Sequence, residues 1–336
     1  PVASSTPLRL PLPEPSTIVK RLYADNTLWN NFAWRQRAEQ VASGIRTRVL
    51  AHVLKNDGGY MSQACSSAEI LAALYTRIMR LGPSRAPLLP LPFTSVPGPH
   101  NPRPATGADY NGPRTADLDR FIFSPVHYAL VLYAALIETG RLAPEALDSF
   151  NREGSRLEMI GAEHSPGHEV TAGSLGQAIS QAGGIALARR LRRETGRVWV
   201  FLSDGELQEG QVWEAIEAMA FHRLDNVGIY VDANGQCCDG PIEQVMASEP
   251  LVERLRAFGA DACEVDGHDP EALLAPPERL GRGKPLAVVA RTDPCRELPL
   301  LRERAPRLHY LRLRDDAERR AYRRALAQME AKRGKA

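Results

Sequence analysis

Polar residues follow two apolar runs that read as buried strands, and their types suit a hard metal ion. The run 198–202 leads into Ser-Asp-Gly-Glu, and the run 227–231 leads into Asp-Ala-Asn-Gly-Gln. Asp204 offers a carboxylate, Asn234 an amide oxygen, and the following turn free carbonyls, the all-oxygen set that Mg²⁺ prefers. Gly205 lets the backbone approach a diphosphate closely. The pattern predicts a magnesium–diphosphate site; the alternative is two ordinary turns that end two strands.

These side chains can meet only if the two strands are neighbours in a parallel sheet. Between Gly205 and Asn234 lie 28 residues, enough for one helix and a return strand. A right-handed crossover would bring both carboxyl ends to the edge where ligands of doubly wound sheets bind.

The rest of the chain alternates between apolar strands and helices. Strands are predicted at 121–123, 198–202, 227–232, 263–265 and 285–290. Helices are predicted at 27–54, 66–79, 126–138, 174–194, 212–222, 251–258 and 315–333. Ser66 or Ser67 would cap the second helix, with Glu69 in its first turn. This alternation predicts an α/β fold, a doubly wound, mostly parallel sheet with helices on both faces.

Proline content divides the chain further. Residues 1–26 are predicted to form an extended Pro-rich arm, 27–312 an α/β domain and 313–336 a C-terminal helix. A Pro-rich insertion at 81–116 interrupts the domain. A segment of this length without regular structure is a lid, a partner-docking loop or a disordered stretch, and the sequence leaves these open.

Composition narrows the class of protein. Across 336 residues, 42 basic and 40 acidic side chains give a net charge of +2, so no global field favours nucleic acid or an anionic membrane. No uncharged apolar run approaches the roughly 20 residues of a membrane span, and nothing resembles a secretory signal. The five cysteines form no CxxC pair and read as reduced thiols. We therefore expect a cytoplasmic protein.

Two longer strings resemble a known family. Residues 203–214, SDGELQEGQVWE, followed by DANG at 232–235, resemble the thiamine-diphosphate motif of the transketolase family. Residues 165–177, SPGHEVTAGSLGQ, resemble its TPG-x-E-x-(S/T)-x-G-(S/P)-LGQ segment. The resemblance covers roughly residues 35–80 and 115–310 and is closest to the N-terminal half of split, two-chain transketolases. It implies the diphosphate-binding (PP-type) domain of the thiamine-diphosphate-binding fold, with thiamine diphosphate and Mg²⁺ as cofactors.

The resemblance also implies roles for individual residues. The metal ligands would be the side chains of Asp204 and Asn234 and the carbonyl of Gln236. The cofactor contacts would be Gly173 and Leu175 on the thiazolium side, Gly205 and Glu206 near the diphosphate, and His127. His127 and His309 would act near the substrate, and Glu209 would lie at a subunit interface.

Several departures fall on residues that the family places near its substrate. Where transketolases have a GGHPG-like turn, residues 58–62 read GGYMS, so Tyr60 replaces a histidine. The SKGH motif has become SPVH at 124–127 and lacks its lysine. The GHP segment is also replaced, with His164 or His168 as spatial substitutes. The cofactor-binding residues are thus kept while the substrate-binding residues are altered.

The resemblance implies a transferase subunit that moves a two-carbon ketol unit from a ketose phosphate. A partner subunit with the pyrimidine-binding domain would supply the glutamate that activates thiamine, in an α₂β₂ assembly. One alternative is a transketolase/dehydrogenase hybrid that loads a glycolyl unit onto a lipoyl group or an acyl carrier protein in antibiotic biosynthesis. Others are a scaffold without activity and a 2-oxoacid dehydrogenase E1 α-type subunit.

Overall fold

The computed structural model describes residues 31–96, 98–102 and 104–334; the predicted arm at 1–26 lies outside them. The strands are β1 (Gly58–Gly59), β2 (Arg120–Phe123), β3 (Val198–Ser203), β4 (Val227–Ala233), β5 (Gln236–Cys237), β6 (Gly240–Pro241), β7 (Asp261–Asp266), β8 (Leu286–Arg291) and β9 (Leu311–Arg312). The α-helices are α1 (Asn31–Asn56), α2 (Met61–Ala73), α3 (Ala129–Glu138), α4 (Gln177–Leu191), α5 (Gly210–Phe221), α6 (Ile242–Val245), α7 (Leu251–Ala257), α8 (Pro270–Leu274) and α9 (Asp316–Arg333). Shorter 3₁₀ turns lie at Gly107–Tyr110, Val126–Tyr128, Pro144–Ser149, Asp204–Gln208, Pro276–Arg279 and Pro299–Arg304, and a π-helical turn at Leu74–Ile78 follows α2.

The central sheet has five parallel strands in the order β2-β3-β4-β8-β7. Strands β3 and β4 are neighbours in the register that pairs Ser203 with Asp232, so both strands end at one edge of the sheet. Every residue of β3 and β4 is buried. Parallel strands covered on both faces are apolar throughout, which is why the two runs read as continuous hydrophobic segments.

Helices cover both faces of the sheet, as the doubly wound prediction requires. On one face, the aromatic side chains Trp199, Phe201 and Tyr230 join a cluster with residues of α1, α2, α3 and α9. On the other face, Val200 and Ile229 pack with residues of α4, α5 and α7. Alternate residues of one strand thus enter opposite cores, the two-residue period of a pleated strand. The predicted fold class is confirmed.

The second helix begins earlier than the sequence predicts. It starts at Met61, not at Ser66, and its preceding residue Tyr60 makes no side-chain capping bond. The Ser67 hydroxyl donates to the carbonyl of Gln63 at 2.6 Å, the backward bond that a mid-helix serine makes. Glu69 is therefore not in a first turn; it is buried and paired with the fully buried Arg46.

Part of the Pro-rich insertion packs onto the domain. Tyr110 and Asn111 are buried. The guanidinium of Arg141 donates to the carbonyls of Gly82 and Tyr110 at 3.1 and 2.8 Å. The outer part exposes leucines, including Leu91 at 62%. Disorder throughout the segment, one of the expected alternatives, does not describe this arrangement.

The described helices include none with both the length and the apolar character that a membrane span needs. The C-terminal helix α9 begins after Asp315, whose side chain accepts from the backbone N–H of Glu318 at 2.8 Å. It packs on α1 through Tyr322 and Met329, which are buried in the same core as the aromatic face of the sheet.

Candidate active site

Asp204 opens the turn that follows β3 and carries an unpaired buried oxygen. Its Oδ2 accepts from the backbone N–H of Gly235 at 2.7 Å. Its Oδ1 is buried without a hydrogen-bond partner among the residues that the structure describes. Burial, together with the charge of Asp232, raises the pKa of Asp204 to about 7. A bound cation would satisfy this oxygen and offset the cost of burying the charge.

The amide of Asn234 has a defined orientation in the turn after β4. Its Nδ2 lies 3.1 Å from Oδ2 of Asp232, an atom that accepts hydrogen bonds, so the nitrogen belongs on that side. Its Oδ1 faces the turn and accepts from the backbone N–H of Gln236 at 2.9 Å. Gly235 has a φ of 70°, which a glycine adopts without strain. The amide oxygen is thus directed to the turn that also binds Asp204.

The donors at this turn fit Mg²⁺. Asp204 Oδ1 lacks a partner, Asn234 Oδ1 is turned toward the same loop, and the Oε1 of Gln236 is a second buried oxygen without a described partner. All are hard oxygen donors. Within the described part of the chain, no group of three or more His, Cys, Asp or Glu side chains forms a metal site. A metal here would therefore depend on one carboxylate, an amide and backbone oxygens, as the sequence predicted.

The glycines of the site leave space beside the metal donors. A Cβ built on Gly205 would meet only the Sγ of Cys237, at an ordinary contact distance of 3.8 Å. A Cβ on Gly173 would meet only Ile160, at 4.0 Å. Leu175 is half-buried on the same loop. Packing does not demand glycine at Gly173 or Gly205, so the open space is available to a ligand.

Glu206 holds the site together and does not contact open space. Its Oε2 accepts from the backbone N–H of Ser203 at 3.0 Å, and its Oε1 from that of Gly176 at 3.3 Å and from the Ser124 hydroxyl. The side chain is fully buried, which raises its pKa. The structure shows a structural role for Glu206, and its predicted contact with the cofactor stays a prediction. The Ser-x-x-Glu spacing from Ser203 is a capping box, a signal that could have shown this role.

Glu209 ends the same turn with an exposed side chain. In the described chain its carboxylate has no hydrogen bond or ion pair. Gly176 lies against it, since a Cβ there would come within 2.9 Å of the Glu209 Cβ. The Asp204 turn and the loop of Gly173 and Leu175 are therefore in direct contact.

Four aromatic side chains, Tyr60, His127, His309 and Tyr310, form what we call the ring cluster. The ring of Tyr60 lies 5.4 Å from that of His127, 5.5 Å from that of His309 and 5.0 Å from that of Tyr310. The rings of the two histidines are 5.4 Å apart. The cluster exists because β1 pairs with β9, Gly59 opposite Leu311. The structure thus brings together the two predicted histidines and the residue that replaces the family's third.

Both histidines of the cluster are neutral near pH 7. Burial, aided by the neighbouring His309, lowers the pKa of His127 to about 4. Burial also lowers the pKa of His309. Neutral imidazoles can donate or accept a hydrogen bond at a hydroxyl or carbonyl oxygen. They supply no fixed positive charge to a phosphate.

Gln63 determines which nitrogen of His309 carries the proton, and no sequence motif indicated this role. Its Nε2 lies 2.9 Å from the carbonyl oxygen of His309, which can only accept, so this atom is the amide nitrogen. The same Nε2 lies 3.2 Å from Nδ1 of His309. Nδ1 therefore accepts, and the hydrogen-bond pattern assigns the proton to Nε2.

The ring cluster and the metal donors lie at one end of the sheet. The ring of Tyr128 is 4.8 Å from that of His127, and its hydroxyl lies 3.4 Å from Nδ2 of Asn234.

The two histidines suggested as substitutes for the family's missing histidine lie outside the ring cluster. His168 is fully buried against Phe123, and His164 pairs with Glu158 at 3.0 Å.

Doubly wound sheets bind their ligands at the carboxyl ends of their strands, which is where this chain carries its Asp-Gly and Asn-Gly turns. The family described as "Transketolase, thiamine diphosphate binding domain" matches residues 105–292. The chain belongs to the transketolase family, and thiamine diphosphate is its cofactor. The predicted family and cofactor are confirmed.

Several relatives match this chain over most of their own length. A transketolase family protein of Sinorhizobium fredii is 32% identical over 274 residues, covering 79% of this chain and 88% of that protein. The 6-deoxy-6-sulfo-D-fructose transketolase subunit of a Clostridium species is 32% identical, and the match covers 75% of this chain and 82% of that protein. One of the subunits of the apulose-4-phosphate transketolase of Phocaeicola vulgatus is 29% identical, and the match covers 68% of this chain and 72% of that protein.

Solved structures show the same fold. A transketolase from Pichia stipitis matches with a TM-score of 0.66 and 24% identity over 89% of this chain. One from Leishmania mexicana matches with a TM-score of 0.62 and 23% identity. In both comparisons the chain covers 45% of the solved protein, so it spans about half the length of these transketolases.

Proposed function

We propose that this chain is the diphosphate-binding subunit of a two-chain transketolase-like enzyme that transfers a two-carbon ketol unit from a ketose phosphate. The observation that carries the proposal is the match to two relatives named as transketolase subunits, of which the chain covers 82% and 72%. The 2-oxoacid dehydrogenase alternative has no such support.

The proposed metal donors are the oxygens at this turn, of which Asp204 Oδ1 is buried without a partner in the described chain. Asp204 Oδ1, Asn234 Oδ1 and the carbonyl of Gln236 would hold Mg²⁺, and the open space beside Gly205 would accept the diphosphate. Gly173 and Leu175 would line the thiazolium side. Thiamine diphosphate, when bound, supplies the carbanion stabilisation that ketol transfer needs. The chain's residues bind it, orient it and exclude water.

The ring cluster would face the substrate. His309 carries its proton on Nε2 and can donate it to a hydroxyl or carbonyl oxygen. His127 is neutral as well and can share this role. A partner subunit with the pyrimidine-binding domain would contribute the activating glutamate in a cytoplasmic α₂β₂ assembly. Glu209, which is exposed beside the loop of Gly173 and Leu175, would lie at the subunit interface of that assembly.

A second candidate function has one observation in its favour. The insertion exposes Leu88, Leu89 and Leu91 by 53%, 54% and 62%. Exposed apolar side chains in a row are typical of a surface that binds a macromolecule. They favour the hybrid enzyme that loads its two-carbon unit onto a carrier protein or a lipoyl group over one that uses free sugars alone.

The test begins with cofactor binding. The chain is purified with a partner from the same organism that carries the pyrimidine-binding domain, and thiamine diphosphate binding is measured by calorimetry with and without Mg²⁺. We expect Mg²⁺-dependent binding that Asp204→Ala abolishes, and ketol transfer from fructose 6-phosphate only when both chains are present. If the wild-type pair binds no thiamine diphosphate, the proposal is wrong.

The choice of acceptor is tested on the same pair. A free aldose phosphate and a lipoylated carrier protein, whose lipoyl disulfide supplies the two-electron oxidation that an acyl product needs, are offered in separate reactions. Product on the carrier alone supports the hybrid enzyme, and product on the sugar alone supports a transketolase.

A further inference from the structure

Asp232 is a fully buried carboxylate beside the metal turn, and neither the motif nor the proposed function uses its side chain. It lies on β4, two residues before Asn234, and is 0% exposed. Burying a charge is costly unless it is paired or fully hydrogen-bonded. An apolar residue could occupy this strand position if packing were the only requirement.

Three donors converge on this carboxylate. Its Oδ1 accepts from the Thr292 hydroxyl at 2.6 Å, and its Oδ2 accepts from the Ser66 hydroxyl at 2.6 Å. The same Oδ2 accepts from Nδ2 of Asn234 at 3.1 Å. The donors come from α2, the end of β8 and the metal turn, so the carboxylate connects the strand end to both neighbouring elements.

Two bonds determine which end of the Asn234 amide faces the metal: Asp232 accepts from Nδ2, and the backbone N–H of Gln236 donates to Oδ1 at 2.9 Å. The other neighbours of Nδ2, the hydroxyls of Ser66 and Tyr128 at 3.4 Å, can accept or donate and so do not fix the amide. A carboxylate can only accept, so it excludes the flipped amide. Without it, only the N–H of Gln236 would oppose the flipped amide, which presents its NH₂ group to the cation.

We propose that Asp232 is a positioning residue that directs the amide oxygen of Asn234 toward the bound metal ion. This inference rests on the proposed metal site. It explains why a buried charge is kept at a position where the strand is otherwise apolar. Groups that orient metal ligands typically change metal affinity about 10- to 100-fold when they are removed.

Mn²⁺ binding tests this role without depending on catalysis. Binding of Mn²⁺ to the full chain with its partner and thiamine diphosphate is measured by electron paramagnetic resonance, and circular dichroism checks the fold. We expect Asp232→Leu to weaken Mn²⁺ binding about 10- to 100-fold. Asp232→Asn, which keeps an oxygen that can accept from Asn234, should stay within about threefold of wild type, a loss smaller than one hydrogen bond.

A double variant separates orientation from general support. In Asn234→Asp the side chain has two equivalent oxygens, so no orienting partner is needed. We expect Asp232→Leu/Asn234→Asp to bind Mn²⁺ more tightly than Asp232→Leu alone. An added carboxylate raises Mn²⁺ affinity by its charge alone, so the gain is compared with the gain from Asn234→Asp in the Asp232→Asn background, which lacks the same charge but keeps an acceptor. A merely structural role of Asp232 gives equal gains in the two backgrounds, and the positioning role gives the larger gain in the leucine background. Thr292→Val, which removes a donor to the other oxygen of Asp232, serves as the matched control and should change binding less than Asp232→Leu.

The outcomes are distinct. A folded Asp232→Leu that binds Mn²⁺ like wild type overturns the positioning role while leaving the proposed function intact. A gain from Asn234→Asp that is no larger in the leucine background than in the asparagine background does the same. A wild-type complex that binds no Mn²⁺ overturns the metal site itself. If the leucine variant does not fold, Asp232→Ala takes its place with the same two outcomes.

Discussion

Replacing Glu206 with glutamine tests whether this carboxylate is a structural element or a cofactor ligand. The side chain joins the end of β3 to the loop before α4 and to Ser124 after β2. Glutamine has nearly the same shape but one acceptor oxygen instead of two. The change therefore removes an acceptor without creating a cavity.

The expected loss follows from the two backbone bonds. If the new NH₂ group occupies the Oε2 position, the N–H of Ser203, at 3.0 Å, loses its acceptor. If it occupies the Oε1 position, the N–H of Gly176, at 3.3 Å, loses its acceptor. An unsatisfied buried donor costs about 1–3 kcal/mol. Removing a buried charge returns part of this, so we expect Glu206→Gln to lower the free energy of unfolding by about 1–2 kcal/mol.

The assay is urea unfolding of the chain without cofactor at pH 7, followed by circular dichroism. Glu209→Gln is the matched control, since it makes the same chemical change three residues later on an exposed side chain. We expect no measurable change in its unfolding midpoint. If Glu206→Gln unfolds like wild type yet loses thiamine diphosphate binding, the structural role is refuted and the predicted role as a cofactor contact is supported.

Three further predictions concern other buried groups. Glu69→Gln removes the closer of the two carboxylates beside the buried guanidinium of Arg46 and leaves Glu297 at 3.7 Å, so we expect a loss of about 3 kcal/mol in urea unfolding, the lower end of the cost of breaking a buried pair. Burial lowers the pKa of His52 to about 4, so the unfolded chain binds an extra proton as the pH falls from 6.5 to 4, and stability declines. His52→Phe should reduce the slope of stability against pH by up to about 1.4 kcal/mol per unit in that range. Gln63→Leu removes the donor to His309, and we expect ketol transfer to fall about tenfold, the value of one hydrogen bond.

Each of these has a control in the same fold. Glu39→Gln breaks an exposed ion pair on α1 and should leave unfolding unchanged, unlike Glu69→Gln. His222→Phe makes the same exchange at an exposed histidine and is measured as the control for His52→Phe. Gln63→Leu should leave thiamine diphosphate affinity unchanged; a parallel loss of affinity would contradict a role confined to His309. Equal unfolding of Glu69→Gln and Glu39→Gln would contradict the value assigned to the buried pair.

The central sheet and the positions of Asp204 and Asn234 at its edge could be predicted because their signals are local. The apolar runs that became β3 and β4 are buried on both faces, and such strands leave a continuous hydrophobic trace. Asp204 and Asn234 follow these strands directly, and neighbouring parallel strands place their ends side by side. The number of residues between the two strands did not affect this prediction, because the crossover between neighbouring parallel strands is almost always right-handed.

The ring cluster and the side-chain hydrogen bonds between distant segments could not be predicted from the sequence in this way. Tyr60 and His309 meet through a pairing of two-residue strands about 250 positions apart, which leaves no periodic pattern. Ser66 looked like a helix cap because serine favours that position, but burial against Asp232 gives it a stronger partner. Side-chain bonds between distant segments depend on packing, which propensities do not contain.

The metal donors and the ring cluster are held in different ways, and this difference indicates where substrate preference can change. Asp204 and Asn234 are bonded to buried neighbours, so a substitution there leaves buried polar groups without partners. Tyr60 is half-buried and makes ring contacts, with no side-chain hydrogen bond to the described part of the chain. Such contacts are worth about 0.5–1.5 kcal/mol each, so Tyr60 can be exchanged at small cost in stability for another aromatic side chain that keeps them. We therefore expect cofactor binding to tolerate changes in the ring cluster, and acceptor choice to follow them.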